Sequence, residues 1–170
     1  MEIKDYKKII KETAIFPEKV NNFGLAYSWL GLIEESEEAF DAYKRFTTID
    51  NEENRTNVIK EVGDVCWYVT SIAEILDLDL DNIFKTKQNI EELKKYKNIT
   101  LYSGNIKKFY RDGKPIDKKE IQGTLSLLML GMLSALKNYD ITLELILKTN
   151  YDKLILRKQK GTIKGDGDNR

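Results

Sequence analysis

The chain has 170 residues, 41% hydrophobic and 33% charged, which is enough for a soluble core without disulfides. Lysine and arginine total 28 and aspartate and glutamate 28, so no global field favours nucleic acid or an anionic membrane, and any polyanion site has to be local. Histidine is absent, which excludes Ser-His-Asp and Cys-His nucleophiles, histidine-ligated zinc and the Glu-x-x-His ligands of di-iron bundles; carboxylates remain for metal chemistry.

The periodicity is helical throughout, with no convincing alternating stretch and only two prolines, Pro17 and Pro115. An all-α multi-helix bundle is expected. The opening MEIKDYKKIIKE is charged and amphipathic without an apolar run, so no secretory signal is expected; it predicts a first helix over about 4–14. A second follows over about 24–45, and a third over about 54–76, opening after the N-cap candidates of Asn51-Glu52-Glu53-Asn54. Cys66 lies in the apolar run Val65-Cys66-Trp67-Tyr68-Val69 and reads as a buried, inert thiol, in keeping with a reducing cytoplasm.

A fourth helix is predicted over about 80–96 and a fifth over about 100–111, stopped by Asp112-Gly113-Lys114-Pro115. Asp117, with Glu120 three residues on, caps a sixth over about 117–137. Its apolar run from Leu125 to Leu136 is shorter than the roughly 18 residues of a membrane span. Leu125, Leu128, Met129, Met132, Leu133 and Leu136 nevertheless exceed one amphipathic face, so a homodimer is expected. A seventh helix covers about 142–160, and the glycine-rich tail 161–170 reads as loop, either a lid over a ligand or an unstructured end.

Two short echoes suggest a degenerate internal repeat. Phe40-Asp41-Ala42-Tyr43-Lys44-Arg45 resembles Lys107-Lys108-Phe109-Tyr110-Arg111, and Lys60-Glu61-Val62-Gly63-Asp64-Val65 resembles Glu120-Ile121-Gln122-Gly123-Thr124-Leu125. Aligned at Gly63 and Gly123, Ile121 and Thr124 replace Glu61 and Asp64. Chance likeness among amphipathic helices accounts for the echoes equally well. The expected organisation is one domain over 1–170, with an acid-bearing unit at about 24–96 and a degenerate unit at about 100–160.

Chemistry concentrates in two acid pairs. Glu35 and Glu38 are three residues apart, as are Glu61 and Asp64, so each pair shares a helical face with Cβ atoms roughly 5–6 Å apart. Two such helices packed together would converge four carboxylates, a donor set suited to magnesium or manganese. Glu-rich runs are ordinarily solvated faces, and Glu34 and Glu37 fit that reading. Glu61, however, falls on the stripe Val58, Glu61, Val65, Tyr68 and Ile72, and Glu35 on Leu32, Glu35 and Ala39. An acid on a core-facing stripe has to be paired, protonated or metal-bound.

The run Gly31-Leu32-Ile33-Glu34-Glu35-Ser36-Glu37-Glu38 followed by Lys60-Glu61-Val62-Gly63-Asp64-Val65-Cys66-Trp67-Tyr68 resembles the MazG-like all-α nucleoside triphosphate pyrophosphohydrolases, whose pattern is an E-x-x-E helix followed by an E-x-x-D helix. The ending Asn150-Tyr151-Asp152-Lys153-Leu154, Arg157 and Gly161 to Arg170 is similar to that of short phage and bacterial members. Two departures are visible: Glu37 stands where the family usually has glycine, and the second repeat lacks acids, an arrangement similar to dimeric dUTPases and dCTPases of the same superfamily.

The resemblance implies magnesium-dependent hydrolysis of a nucleoside or deoxynucleoside triphosphate to the monophosphate and pyrophosphate, with manganese able to substitute. It implies Glu35, Glu38, Glu61 and Asp64 as metal ligands, with Glu38 and Glu61 catalytic, and Asn150, Lys153 and Arg157 as substrate-binding residues. Lys153 and Arg157 share a face four residues apart and are suited to phosphates, though a solvated basic face at the helix end is an alternative for Arg157. A pyrimidine-specific enzyme of the same superfamily, or a non-catalytic helical dimerisation module, are the other readings. The expected partner is a nucleotide, with no nucleic acid and no membrane.

Overall fold

The computed structural model describes residues 1–15 and 23–163, and every regular element among them is helical. The helices are α1 (Ile3–Thr13), α2 (Phe23–Thr48), α3 (Glu52–Leu76), α4 (Leu80–Phe84), α5 (Ile90–Leu93), α6 (Ile99–Asp112), α7 (Lys118–Leu136) and α8 (Leu143–Lys160), with a 3-10 turn at Lys137–Tyr139. The tail expected to be loop lies outside the described residues from 164 onward; before it, Gly161 ends α8 in the left-handed conformation that glycine adopts without strain.

Capping explains most boundaries. The side chains of Asn51, Asn98, Asp117 and Thr142 each accept backbone N–H groups at the starts of α3, α6, α7 and α8. Asp117 caps as its spacing suggests, but the Glu120 carboxylate turns away from the cap to Asn105 (3.0 Å) and Lys97 (2.9 Å). The single helix expected over 80–96 is a correction. The chain leaves α4 at Lys85, the Thr86 hydroxyl accepts the Gln88 N–H, and Asn89 and Glu92 form a reciprocal capping box that starts α5 afresh. The local side-chain hydrogen bonds at Thr86 and Asn89 compete with the helical ladder and interrupt it.

The α2–α3 hairpin is the centre of the bundle. α1 and α8 pack on α3 and on each other; α7 packs on α3, α4, α5 and α6, and α6 also touches α2. Buried Ser28 and Ser71 share a hydrogen bond of 2.9 Å across the hairpin, and a Cβ on Gly31 would stand 2.3 Å from the Tyr68 ring. Glycine at 31 is therefore what lets that ring cross between the helices. These two contacts define an antiparallel register, one residue back along α3 for each residue forward along α2.

The core takes more of α7 than its apolar run implied. Leu125, Met129 and Leu136 are fully buried, while Leu128, Met132 and Leu133 are half-buried against the same cluster. Trp29 is core, with its indole N–H on Ser103 (2.9 Å) and its ring against Tyr102. Cys66 is buried, and burial pushes its thiol pKa up, away from reactivity. Among the described residues no helix is long and apolar enough to cross a membrane.

Candidate metal and phosphate centre

Continued from Ser28–Ser71 and Gly31–Tyr68, the hairpin register sets position 35 against 64 and 38 against 61. Carboxylate oxygens of Glu35, Glu38 and Glu61 lie within 4.8 Å of one another. Glu35 and Glu61 are half-buried and Glu38 is exposed, so the cluster reaches solvent through Glu38; Glu34 and Glu37 are exposed. The Glu35 carboxyl pKa is pushed up to about 8, first by burial and then by the charges of Asp64, Glu38 and Glu61, with Lys153 opposing. Like charge has been crowded here further than the neighbouring lysine relieves. The donor set is therefore hard oxygen, convergent and in need of cations, which fits magnesium or manganese.

Asp64 stands apart from the three glutamates because both of its oxygens are engaged. Asn150 donates its amide N–H to Oδ1 (2.8 Å), and the Lys153 ammonium is ion-paired with Oδ2; both side chains of that pair are largely buried. Thus α8 delivers Asn150 and Lys153, one turn apart, directly to the acid face of α3. Arg157, a further turn along, is buried rather than on a solvated face, and its carbonyl accepts the Thr162 N–H.

Three supporting residues escape sequence reasoning. Tyr6 of α1, wholly buried, donates its hydroxyl to Asn150 Oδ1 (2.7 Å) and also lies 3.3 Å from the Gly63 carbonyl oxygen. Gly63 makes room for this arrangement: a Cβ there would come within 3.0 Å of the Asn150 Cβ. On the other side, the Asn57 amide bridges Arg45 and the Glu61 Oε1, each at 3.2 Å. Tyr6 has an audible signal in the sequence, since a tyrosine on the stripe Ile3, Tyr6, Ile9 and Ile10 needs a partner for its hydroxyl. Asn57 and Arg45 give none, being polar residues on long helices. Tyr68 lies near Glu35, tilted against Tyr27 and edge-on to Trp67, while Trp67 donates to Thr13 Oγ1 (3.3 Å).

Residues 27–96 match the family model described as the MazG nucleotide pyrophosphohydrolase domain. The chain is also 30% identical over 112 residues to the Gene 37 protein of Mycobacterium phage L5, an alignment covering 62% of this chain and 96% of that protein. No solved structure matches the chain.

Proposed function

Because the chain belongs to the MazG nucleotide pyrophosphohydrolase family, we propose that it hydrolyses a nucleoside or deoxynucleoside triphosphate to the monophosphate and pyrophosphate. The observation that carries this reading is the convergence of Glu35, Glu38 and Glu61 beside an Asp64 already held by Asn150 and Lys153.

Glu35, Glu38, Glu61 and Asp64 would hold the metal. Bound magnesium, with manganese as a substitute, would supply charge neutralisation of the triphosphate and lower the pKa of a water. Glu38, the exposed member of the cluster, would orient the attacking water and take its proton. Lys153, paired with Asp64, is placed to exchange that carboxylate for a phosphate oxygen, with Arg157 one turn beyond it on the same helix. Asn150 keeps one Asp64 oxygen fixed while the other is exchanged. In this division of labour the acid-bearing unit at about 24–96 holds metal, and α8 of the second unit, about 100–160, holds phosphate.

The reading extends to a cytoplasmic homodimer. Leu128, Met132 and Leu133 are only half covered, and Leu30 and Leu101 stand 69% and 65% exposed. Sedimentation returning a monomer at micromolar concentration would count against the dimer.

The deciding experiment is a panel of NTPs and dNTPs with Mg²⁺, scored for monophosphate and pyrophosphate. Release of both products identifies the activity, and a response confined to dUTP or dCTP would make the enzyme pyrimidine-specific. No turnover of any triphosphate by folded protein would leave a helical dimerisation module instead.

A further inference from the structure

A cavity of about 660 Å³ opens between α4–α5 and α7, sharing no residue with the acid cluster. Its rim and walls include Lys85, Lys87, Lys119, Gln88, Gln122 and Ser126. The volume falls within the range of small-molecule sites. One wall, from Asp81 to Tyr96, ends the segment that matches the family model; the other, from Lys119 to Ser126, lies outside it. The cavity is therefore built where the family-matched part meets the rest of this chain.

Its chemistry is one-sided. Asp81 is the single carboxylate in the lining, and Lys85 approaches it only at 3.4 Å. Lys87 and Lys119 have no carboxylate partner among the described residues. The Gln122 carbonyl is occupied by the Asp79 N–H (3.2 Å), which leaves its amide N–H groups as the free end. Ser126 is 3% exposed and contributes to the lining beside Gln122 and Gly123. Tyr96 supplies a flat wall: it lies so close over Gly123 that a Cβ there would stand 2.4 Å from the ring.

We propose that this cavity is a second anion site, taking a phosphate-bearing small molecule on Lys87, Lys119 and the Ser126 hydroxyl. Ammonium groups bind phosphate as point charges, and an anion in the opening would draw on both Lys87 and Lys119. The shared chemistry is the phosphate; the source is either a nucleotide, whose base would lie on Tyr96, or free pyrophosphate. The site does not depend on the acid cluster.

The test is calorimetric titration of the full chain in excess EDTA, in a Glu35→Gln/Glu61→Gln background, with inorganic pyrophosphate in one arm and a nucleoside diphosphate in the other. Without metal, and with those acids neutralised, failure of the proposed hydrolase reading would not alter the result. Saturable binding of one ligand per chain is expected. It should weaken by about tenfold with Lys87→Glu and about tenfold with Lys119→Glu, and stay unchanged with Lys4→Glu on α1. Tighter binding of the nucleotide, lost in Tyr96→Leu, would identify a nucleotide as ligand, and equal binding in both arms would identify free pyrophosphate; either supports the site. Circular dichroism and melting temperature check that each variant is folded. Absence of saturable binding in both arms overturns the proposal, as does binding that Lys4→Glu weakens as much as Lys87→Glu.

Discussion

Loading the acid cluster with Mg²⁺ or Mn²⁺ should expel a proton, and its amount follows from Glu35. That carboxyl is raised from an ordinary 4.5 to about 8 by burial and by Asp64, Glu38 and Glu61, and it has to ionise to become a ligand. A group titrating near 8 is about 90% protonated at pH 7 and about 10% at pH 9, so release should fall from about 0.9 to about 0.1 proton per chain. Apparent metal affinity should climb about tenfold per pH unit up to pH 8 and flatten above it. The metal-free protein shows the reverse linkage. Its folded-state pKa lies above the unfolded one, so the contribution of Glu35 to stability is fully present below pH 4.5 and is lost as pH rises through about 8, where added metal should restore it. Isothermal titration in buffers of different ionisation enthalpy at pH 7 and pH 9 measures the release directly. Glu35→Gln should abolish both the release and the pH slope. Wild-type release below about 0.3 proton at pH 7, or equal release from Glu35→Gln, would refute the reasoning.

Glu61→Gln should eliminate turnover while leaving a folded chain, because glutamine keeps the volume but not the charge that a hard cation requires; kcat and circular dichroism read the two effects apart. Lys153→Ala should raise KM for the nucleotide by about ten- to a hundredfold, the loss of one charge-assisted contact. In the absence of nucleotide the same variant should bind Mn²⁺ more tightly by electron paramagnetic resonance, since a competing cation has left Asp64. Tyr6→Phe removes the donor to the buried Asn150 oxygen and should cost about 1–3 kcal/mol in urea unfolding. An unchanged midpoint would mean that water replaces the hydroxyl.

Helical periodicity and capping residues were enough to place α1, α2, α3, α6, α7 and α8 to within a turn, because each carries an apolar stripe and most have a legible start or stop. The same local reasoning ran 80–96 together, since the hydrogen bonds of Thr86 and Asn89 that break it do not disturb the apolar spacing. Spacing alone also paired Glu35 with Glu38 and Glu61 with Asp64, a consequence of three residues being nearly one helical turn.

Which pair faces which was a tertiary matter. The Ser28–Ser71 bond and the Tyr68 ring over Gly31 fix the hairpin register that sets 35 against 64 and 38 against 61; slipping one helix by a turn would have kept every stripe and separated the acids. Long-range packing likewise brought Asn150 onto Asp64, with Tyr6, 144 residues away, behind it, and buried Leu125, Met129 and Leu136 of α7 while leaving Leu128, Met132 and Leu133 half covered. Periodicity records which face of a helix turns inward. What that face meets depends on the register and identity of its neighbours, which no single helix encodes.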